Sequence, residues 1–169
     1  HYQPKISLIT KRVTGFEALI RWADPEAGLV SPALFIPVLE ETGLIIEVGN
    51  WVMRQALADL DRWRAAGAEP LRIAVNVSAF QLRQKSFVDD VRKVVAGRED
   101  FAASLEMEIT ESLVMEDIEE NIPKLKAIRE LGATVAVDDF GTGYSSLSYI
   151  AKLPISALKI DRAFIMNLA

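Results

Sequence analysis

Cysteine is absent from the 169-residue chain, and histidine occurs once, at position 1. The first absence excludes disulfides and thiolate metal sites, and it fits a reducing compartment such as the cytoplasm. Together the two absences argue against zinc or copper, which draw on sulfur and imidazole donors. No apolar run approaches the roughly 20 residues of a membrane helix, and no signal peptide is visible. A domain in the cytoplasm is therefore expected, although a parent protein could still be tethered to a membrane. Basic residues are not in excess. Nineteen Lys and Arg against 24 Asp and Glu leave a net charge of −5, the wrong sign for a groove that tracks a nucleic-acid polymer. No G-x-G-x-x-G segment follows the first strand, which weighs against a dinucleotide-binding open sheet.

What remains is ordinary globular material. Half the residues are hydrophobic and a quarter are charged, enough to build one domain with a real core. The chain starts at His1 rather than at a methionine and stops in the apolar run "FIMNLA". Both ends read as cuts, so a longer parent protein is expected.

The order of elements is regular. "YQPKISLI" and "VTGFEALIRW" flank a turn-like segment and predict a hairpin. In "SPALFIPVLEETG", Ser31 is placed as an N-cap, Pro32 at the first helical position and Gly43 at the C-cap. A long amphipathic helix is predicted from Ile46 to Ala66, closed by Gly67. Strands follow at "LRIAVNVS", "LEMEIT", "TVAVDDF" and "ALKID". Helices are predicted at "SFVDDVRKVVAG", "DIEENIPKLKAIRELG" and "SSLSYIAKL", with Pro123 near the start of the second. After the hairpin, strand and helix alternate, which implies parallel strands joined by helical crossovers. A barrel and an open doubly wound sheet both satisfy that order.

Side chains alternate across a strand with period two. Five strands each carry an apolar face suited to covering helices: Phe16 and Ala18; Ile73, Val75 and Val77; Leu105, Met107 and Ile109; Val135 and Val137; Leu158 and Ile160. The opposite faces carry Glu17, Asn76, Glu108, Asp138 and Lys159. A single strand-end carboxylate is more often a helix cap or a surface charge. Five polar groups in the same relation, near the strand ends where parallel α/β folds build sites, point to a site. Asp139 reads equally well as a turn residue before Gly141, and Glu111 as a cap after "EIT". Trp22, Trp51 and Trp63 are read as core or helix-packing residues.

Carboxylates and an amide are oxygen donors, which hard cations such as Mg²⁺ and Mn²⁺ prefer. Adjacent carboxylates at a strand end diverge, so the pair Asp138–Asp139 can reach two ions. Two ions about 3.5–4 Å apart can activate water and stabilise a leaving oxygen. Arg21 would supply a guanidinium for phosphate, and Lys159 could hold the attacking water or neutralise developing charge. A Mg²⁺-dependent lyase with a lysine base would use similar residues. The residues alone thus reach metal-assisted chemistry on an anionic substrate.

Several segments, in order, resemble one family: "YQP", "FEALIRW", "NVS", "EITES", "VDDFGTGYSSLSYI" and "LPISALKIDRAFI". They resemble the EAL domain of bacterial cyclic di-GMP phosphodiesterases, whose name matches Glu17-Ala18-Leu19, and the likeness runs through the whole chain. It implies a modified TIM (β/α)8 barrel with an antiparallel first strand. It also implies hydrolysis of cyclic di-GMP to linear pGpG with Mg²⁺ or Mn²⁺, two ions in all. By motif position, Glu17, Asn76, Glu108 and Asp138 resemble metal ligands. Asp139 resembles the second-metal carboxylate that contacts the nucleophilic water, and Lys159 the lysine near that water. The catalytic set is thus Glu17, Asp139 and Lys159. Gln3, Leu19 and Arg21 resemble substrate contacts, and Glu111 the glutamate that holds the loop "DFGTGYSS". The family's later "EGVE"-like and "QGY"-like motifs do not occur here. Residues 1–169 are therefore expected to be the N-terminal two-thirds of the domain, with about six strands, exposed sheet edges and a tendency to associate. The resemblance also implies a homodimer, with sensory or GGDEF-type diguanylate cyclase domains elsewhere in the parent. Two alternatives stand beside the phosphodiesterase: a non-catalytic cyclic di-GMP receptor, and a fragment inactive because it is truncated.

Overall fold

The structure is a computed structural model that describes residues 1–67, 71–98, 102–141 and 150–166. The chain divides into two compact units, His1–Lys85 and Ser86–Ala169.

The first unit opens with the expected hairpin. Strand β1 (Tyr2–Ile6) pairs antiparallel with β2 (Val13–Ala18), Gln3 lying opposite Glu17 in register. The turn closes through the Lys11 amide, which donates to the Ser7 carbonyl at 2.8 Å. A small second hairpin follows, β3 (Trp22–Asp24) and β4 (Gly28–Val30). It interrupts what the alternation in "FEALIRW" suggests is one strand; β2 ends at Ala18. The turn between β3 and β4 forms because Asp24 Oδ1 accepts the Glu26 and Ala27 amides at 2.9 and 2.8 Å, an Asx turn of the kind aspartate favours.

Helix α1 (Pro32–Glu41) starts where Pro32 places it, although the Ser31 hydroxyl makes no capping bond. Helix α2 spans Ile45–Ala65, within a residue of expectation. Gly43 and Gly67 adopt φ of +74° and +87°, the left-handed geometry that ends helices and costs glycine least. Helix α2 buries Ile45, Met53, Leu57 and Leu60 and packs on β5 (Arg72–Asn76), which runs parallel to β2. Burying each such side chain contributes about 1.5–3 kcal/mol before ordering entropy is subtracted. Helix α3 (Ala79–Arg83) is held by a reciprocal capping box between Ser78 and Gln81.

The second unit holds three parallel strands in the order β6 (Leu105–Thr110), β7 (Thr134–Phe140) and β8 (Ala157–Ile160). Helix α4 (Phe87–Val95) precedes them; α5 (Glu111–Glu116) and α6 (Ile118–Glu130) join β6 to β7; α7 (Arg162–Met166) follows β8. Pro123 lies inside α6, five residues after Ile118, rather than in its first turn. Lacking an N–H, it leaves the Glu119 carbonyl without its helical donor. The core is as the period-two pattern predicts: Leu105, Met107, Ile109, Val135 and Val137 are buried, with Leu125 and Ile128 of α6. Strand β8 departs from the pattern. Leu158 and Ile160 are 41% and 56% exposed, so among the described residues no helix buries its apolar face. The predicted helix "SSLSYIAKL" and most of "DFGTGYSS" fall largely on residues 142–149, outside the described residues.

Candidate active site

The site residues of the first unit stand at the ends of β1, β2 and β5. Glu17 on β2 faces Ala74 in register, and Ala74 and Asn76 share a face. Asn76, the last residue of β5, therefore reaches Glu17 diagonally. Its Nδ2 donates to Glu17 Oε1 at 2.8 Å. That bond orients the amide, whose carbonyl oxygen, like the Glu17 carboxylate, is a hard oxygen donor. Gln3 sits opposite Glu17 on β1 and is exposed. Leu19 follows directly on β2, its amide donating to the His1 carbonyl at 2.8 Å. Arg21, half-buried, donates through Nη1 to the Ile20 carbonyl at 2.8 Å. Leu19 and Arg21 line a cavity of about 280 Å³ with Tyr2 and Gln55.

In the second unit the arrangement is tighter. Glu108 is 1% exposed, and a buried carboxylate is costly unless paired and hydrogen-bonded. Lys159 meets that need from β8. Its Nζ donates to Glu108 Oε2 at 2.6 Å and to Asp138 Oδ2 at 2.7 Å. The two acids each present an oxygen within 4.8 Å of the other's, and the ammonium offsets their repulsion.

Asp139 follows at the exit of β7. Its φ is +53°, a left-handed conformation that only short polar residues and glycine tolerate well. The turn coincides with a register shift between β7 and β8, between Val137 and Phe140. A bulge of this kind re-aims a side chain. The Asp139 amide donates to Asp138 Oδ1 at 2.9 Å, and the Asp139 side chain is exposed. The two neighbouring carboxylates thus stand in different surroundings, Asp138 on Lys159 and Asp139 exposed. Glu111, buried at the start of α5, accepts the Gly141 amide through Oε2 at 2.8 Å. It reaches the first residue of the glycine loop after β7.

Each unit therefore presents oxygen donors of the type that a hard divalent cation takes. Two features escaped sequence reading. The Ser78–Gln81 box was legible in principle, since "SAFQ" has capping-box spacing. Asp59, a buried acid in the middle of α2, gave no signal beyond a helical neighbourhood. Two tryptophans also correct expectation. Trp63 packs on Tyr2 and Phe16, as a packing residue should, but Trp22 and Trp51 are 48% and 52% exposed. Trp22 still stacks edge-on to Phe35 with centroids 5.7 Å apart.

Comparison with known proteins places this geometry. The EAL domain family model matches residues 1–169. The chain is 46% identical over 168 residues to the cyclic di-GMP phosphodiesterase NbdA of Pseudomonas aeruginosa, covering 99% of this chain and 22% of that protein. It is 42% identical over 169 residues to the bifunctional diguanylate cyclase/cyclic di-GMP phosphodiesterase MucR of the same organism, covering all of this chain and 25% of the relative. The chain thus spans about a quarter of the length of these relatives. Among solved structures, the PaMucR phosphodiesterase in its c-di-GMP complex superposes with a TM-score of 0.93 at 42% identity, over 99% of this chain and 68% of that one. The fold class is that of an incomplete modified TIM barrel with an antiparallel first strand, to which this chain contributes six strands besides the β3–β4 hairpin. The chain belongs to the EAL domain family.

Proposed function

We propose that this chain is the N-terminal two-thirds of a cyclic di-GMP phosphodiesterase domain acting in bacterial second-messenger signalling in the cytoplasm. The reaction is metal-dependent hydrolysis of one phosphodiester bond to give linear pGpG. The observation that carries the reading is the cluster in which Lys159 bridges the carboxylates of Glu108 and Asp138 at strand ends. Support comes also from the phosphodiesterase relatives and from the 68% of the PaMucR phosphodiesterase chain that this one covers.

In this reading Glu17, Asn76, Glu108, Asp138 and Asp139 hold two divalent cations, Mg²⁺ or Mn²⁺, by side-chain oxygens. When bound, such ions lower the pKa of water and offset charge on the leaving oxygen. The chain's own residues do the rest. Gln3, Leu19 and Arg21 hold the substrate, with the Arg21 guanidinium suited to a phosphodiester oxygen. Asp139 accepts from the attacking water, turned toward it by the left-handed backbone. Lys159 orients that water and counters charge as the water oxygen bonds to phosphorus, the bond from phosphorus to the 3′ oxygen breaks, and a proton from the water ends on that oxygen. Glu111 fixes the start of the loop after β7. Sensory or GGDEF-type domains in the parent protein fit the bifunctional relative. A homodimer fits the exposed apolar face of β8, and sedimentation of the chain tests it.

The test is product analysis. Cyclic di-GMP is incubated with Mg²⁺ or Mn²⁺ and either this chain or a version extended to full domain length. The expected result is pGpG from the extended chain, little or none from the 169 residues, and none from the extended Glu17→Ala variant. Binding without cleavage by the extended chain replaces this reading with the receptor, and full turnover by Glu17→Ala removes the metal assignment.

A further inference from the structure

The first unit contains a buried acid that the proposed chemistry leaves unused. Asp59 is 6% exposed and lies in the middle of α2. Its carboxylate accepts from the Tyr2 hydroxyl and pairs with the Arg62 guanidinium. Gln55 Nε2 donates to both of its oxygens at 3.1 Å. A buried carboxylate surrounded by donors is a fixed acceptor, because moving it would strand a charge. The partner it fixes is the first residue of β1. The Tyr2 ring is held as well, edge-on to Trp63 with centroids 4.7 Å apart. Burial pushes the Tyr2 phenol above its ordinary pKa, which keeps its proton in place as the donor.

The consequence falls on the next residue. Side chains alternate along a strand, so a tyrosine held on the helix side puts Gln3 on the other face. There Gln3 stands opposite Glu17. A slip of one residue would exchange the two faces. Backbone bonds between His1 and Leu19 hold the same end of the strand, and Tyr2 adds a side-chain anchor where Gln3 and Pro4 are exposed.

We propose that Asp59 and Tyr2 form a clamp that positions Gln3 for substrate, Asp59 and Tyr2 being positioning residues rather than catalytic ones. The proposal rests on the phosphodiesterase reading for its kinetic readout and on β1 alone for its structural one. The test uses the full-length protein that carries this domain. Tyr2→Phe keeps the ring and removes only the hydroxyl. It is expected to raise KM for cyclic di-GMP by roughly 3- to 10-fold, the range of one net hydrogen bond, with kcat little changed. Gln3→Ala is expected to raise KM similarly, and the double variant no further than Gln3→Ala alone. Asp59→Asn, whose amide oxygen still accepts the phenol, is expected to restore near-normal KM, whereas Asp59→Ala behaves like Tyr2→Phe. Effects of Tyr2→Phe and Gln3→Ala that add independently, or a fall in thermal stability with KM unchanged, would overturn the clamp.

Amide hydrogen exchange on the same proteins reads the clamp without substrate. Tyr2→Phe is expected to speed exchange across Tyr2–Ile6 selectively, and unchanged protection there overturns the proposal. A wild-type protein that fails to cleave cyclic di-GMP overturns the phosphodiesterase reading instead, and the exchange experiment then decides the clamp by itself.

Discussion

Each unit of this chain brings an acid to a strand end, and the two do so under different electrostatic conditions. In the first unit Glu17 is half-buried and meets a neutral amide, that of Asn76. In the second, Glu108 is fully buried and shares the Lys159 ammonium with Asp138. The difference follows from solvent. Water screens a half-exposed carboxylate, which lessens its need for a counter-charge. A buried carboxylate with a second one beside it needs a counter-charge in place. Lys159 therefore has a structural task, holding the second cluster together, beside the catalytic one proposed for it.

The largest expected effect breaks that second arrangement. Lys159→Met removes the ammonium and leaves Glu108 and Asp138 to repel each other. Stability is expected to fall by about 3–5 kcal/mol in chelator, the cost of stripping one partner from a buried pair. Mn²⁺ should then raise the melting temperature of the variant more than that of the wild type, because cation and ammonium compete for the same oxygens. Equal Mn²⁺ stabilisation of both proteins would show that they do not compete.

Imposing the second unit's problem on the first gives the next effect. Asn76→Asp loses the bond to Glu17 and sets two carboxylates side by side. The expected cost without divalent cations is about 1–2 kcal/mol, smaller because these groups are partly solvated. Saturating Mg²⁺ is expected to recover most of it, as read by denaturant titration. A cost above that of Lys159→Met would invert the comparison.

How much of this was legible in the sequence follows from the range of the forces involved. Alternation along a strand is local, so Glu17, Asn76, Glu108, Asp138 and Lys159 could be placed on one kind of face from spacing alone. The faces of β6 and β7 came out as read, because each buries its own apolar set. That Lys159 bridges two acids required knowing that β7 and β8 pair in register, and no local pattern carries it. The turn at Asp139 was read as divergence of two carboxylates, but its cause, a left-handed residue in a bulge, lies in pairing between strands. Leu158 and Ile160 misled for a related reason. Their alternation is regular, yet cover for a strand comes from another element. Asp59 was invisible because its meaning lies in Tyr2, 57 residues away.

Asp139 offers a smaller effect within the second unit. Asp139→Gly and Asp139→Ala both remove the carboxylate, and both are expected to abolish turnover. They differ in backbone cost, since alanine pays about 1 kcal/mol or more for a positive φ that glycine adopts freely. The glycine variant should be the more stable of the two by that amount. Equal stability would mean that the residue leaves the left-handed region when its side chain is lost, and that the carboxylate sets the turn rather than the bulge.

The smallest effect extends the comparison to a third environment, an acid in a surface turn. Asp24, in the turn between β3 and β4, is held below the ordinary carboxylate pKa by the amides of Ala27 and Glu26. Its folded pKa is depressed, so its contribution to stability is present above the unfolded value of 3.8 and is lost as pH falls through the folded one. Asp24→Asn keeps an acceptor but cannot titrate. Near neutral pH the variant should be slightly less stable than the wild type, since it lacks the charge on the acceptor. As pH falls below 3.8 the difference should shrink, and melting curves of the two proteins across that window measure it. A difference that stays constant with pH would mean that the turn depends on the geometry of the acceptor and not on its charge. Asp24 would then need only a well-placed acceptor, and charge would matter most in the buried cluster around Lys159.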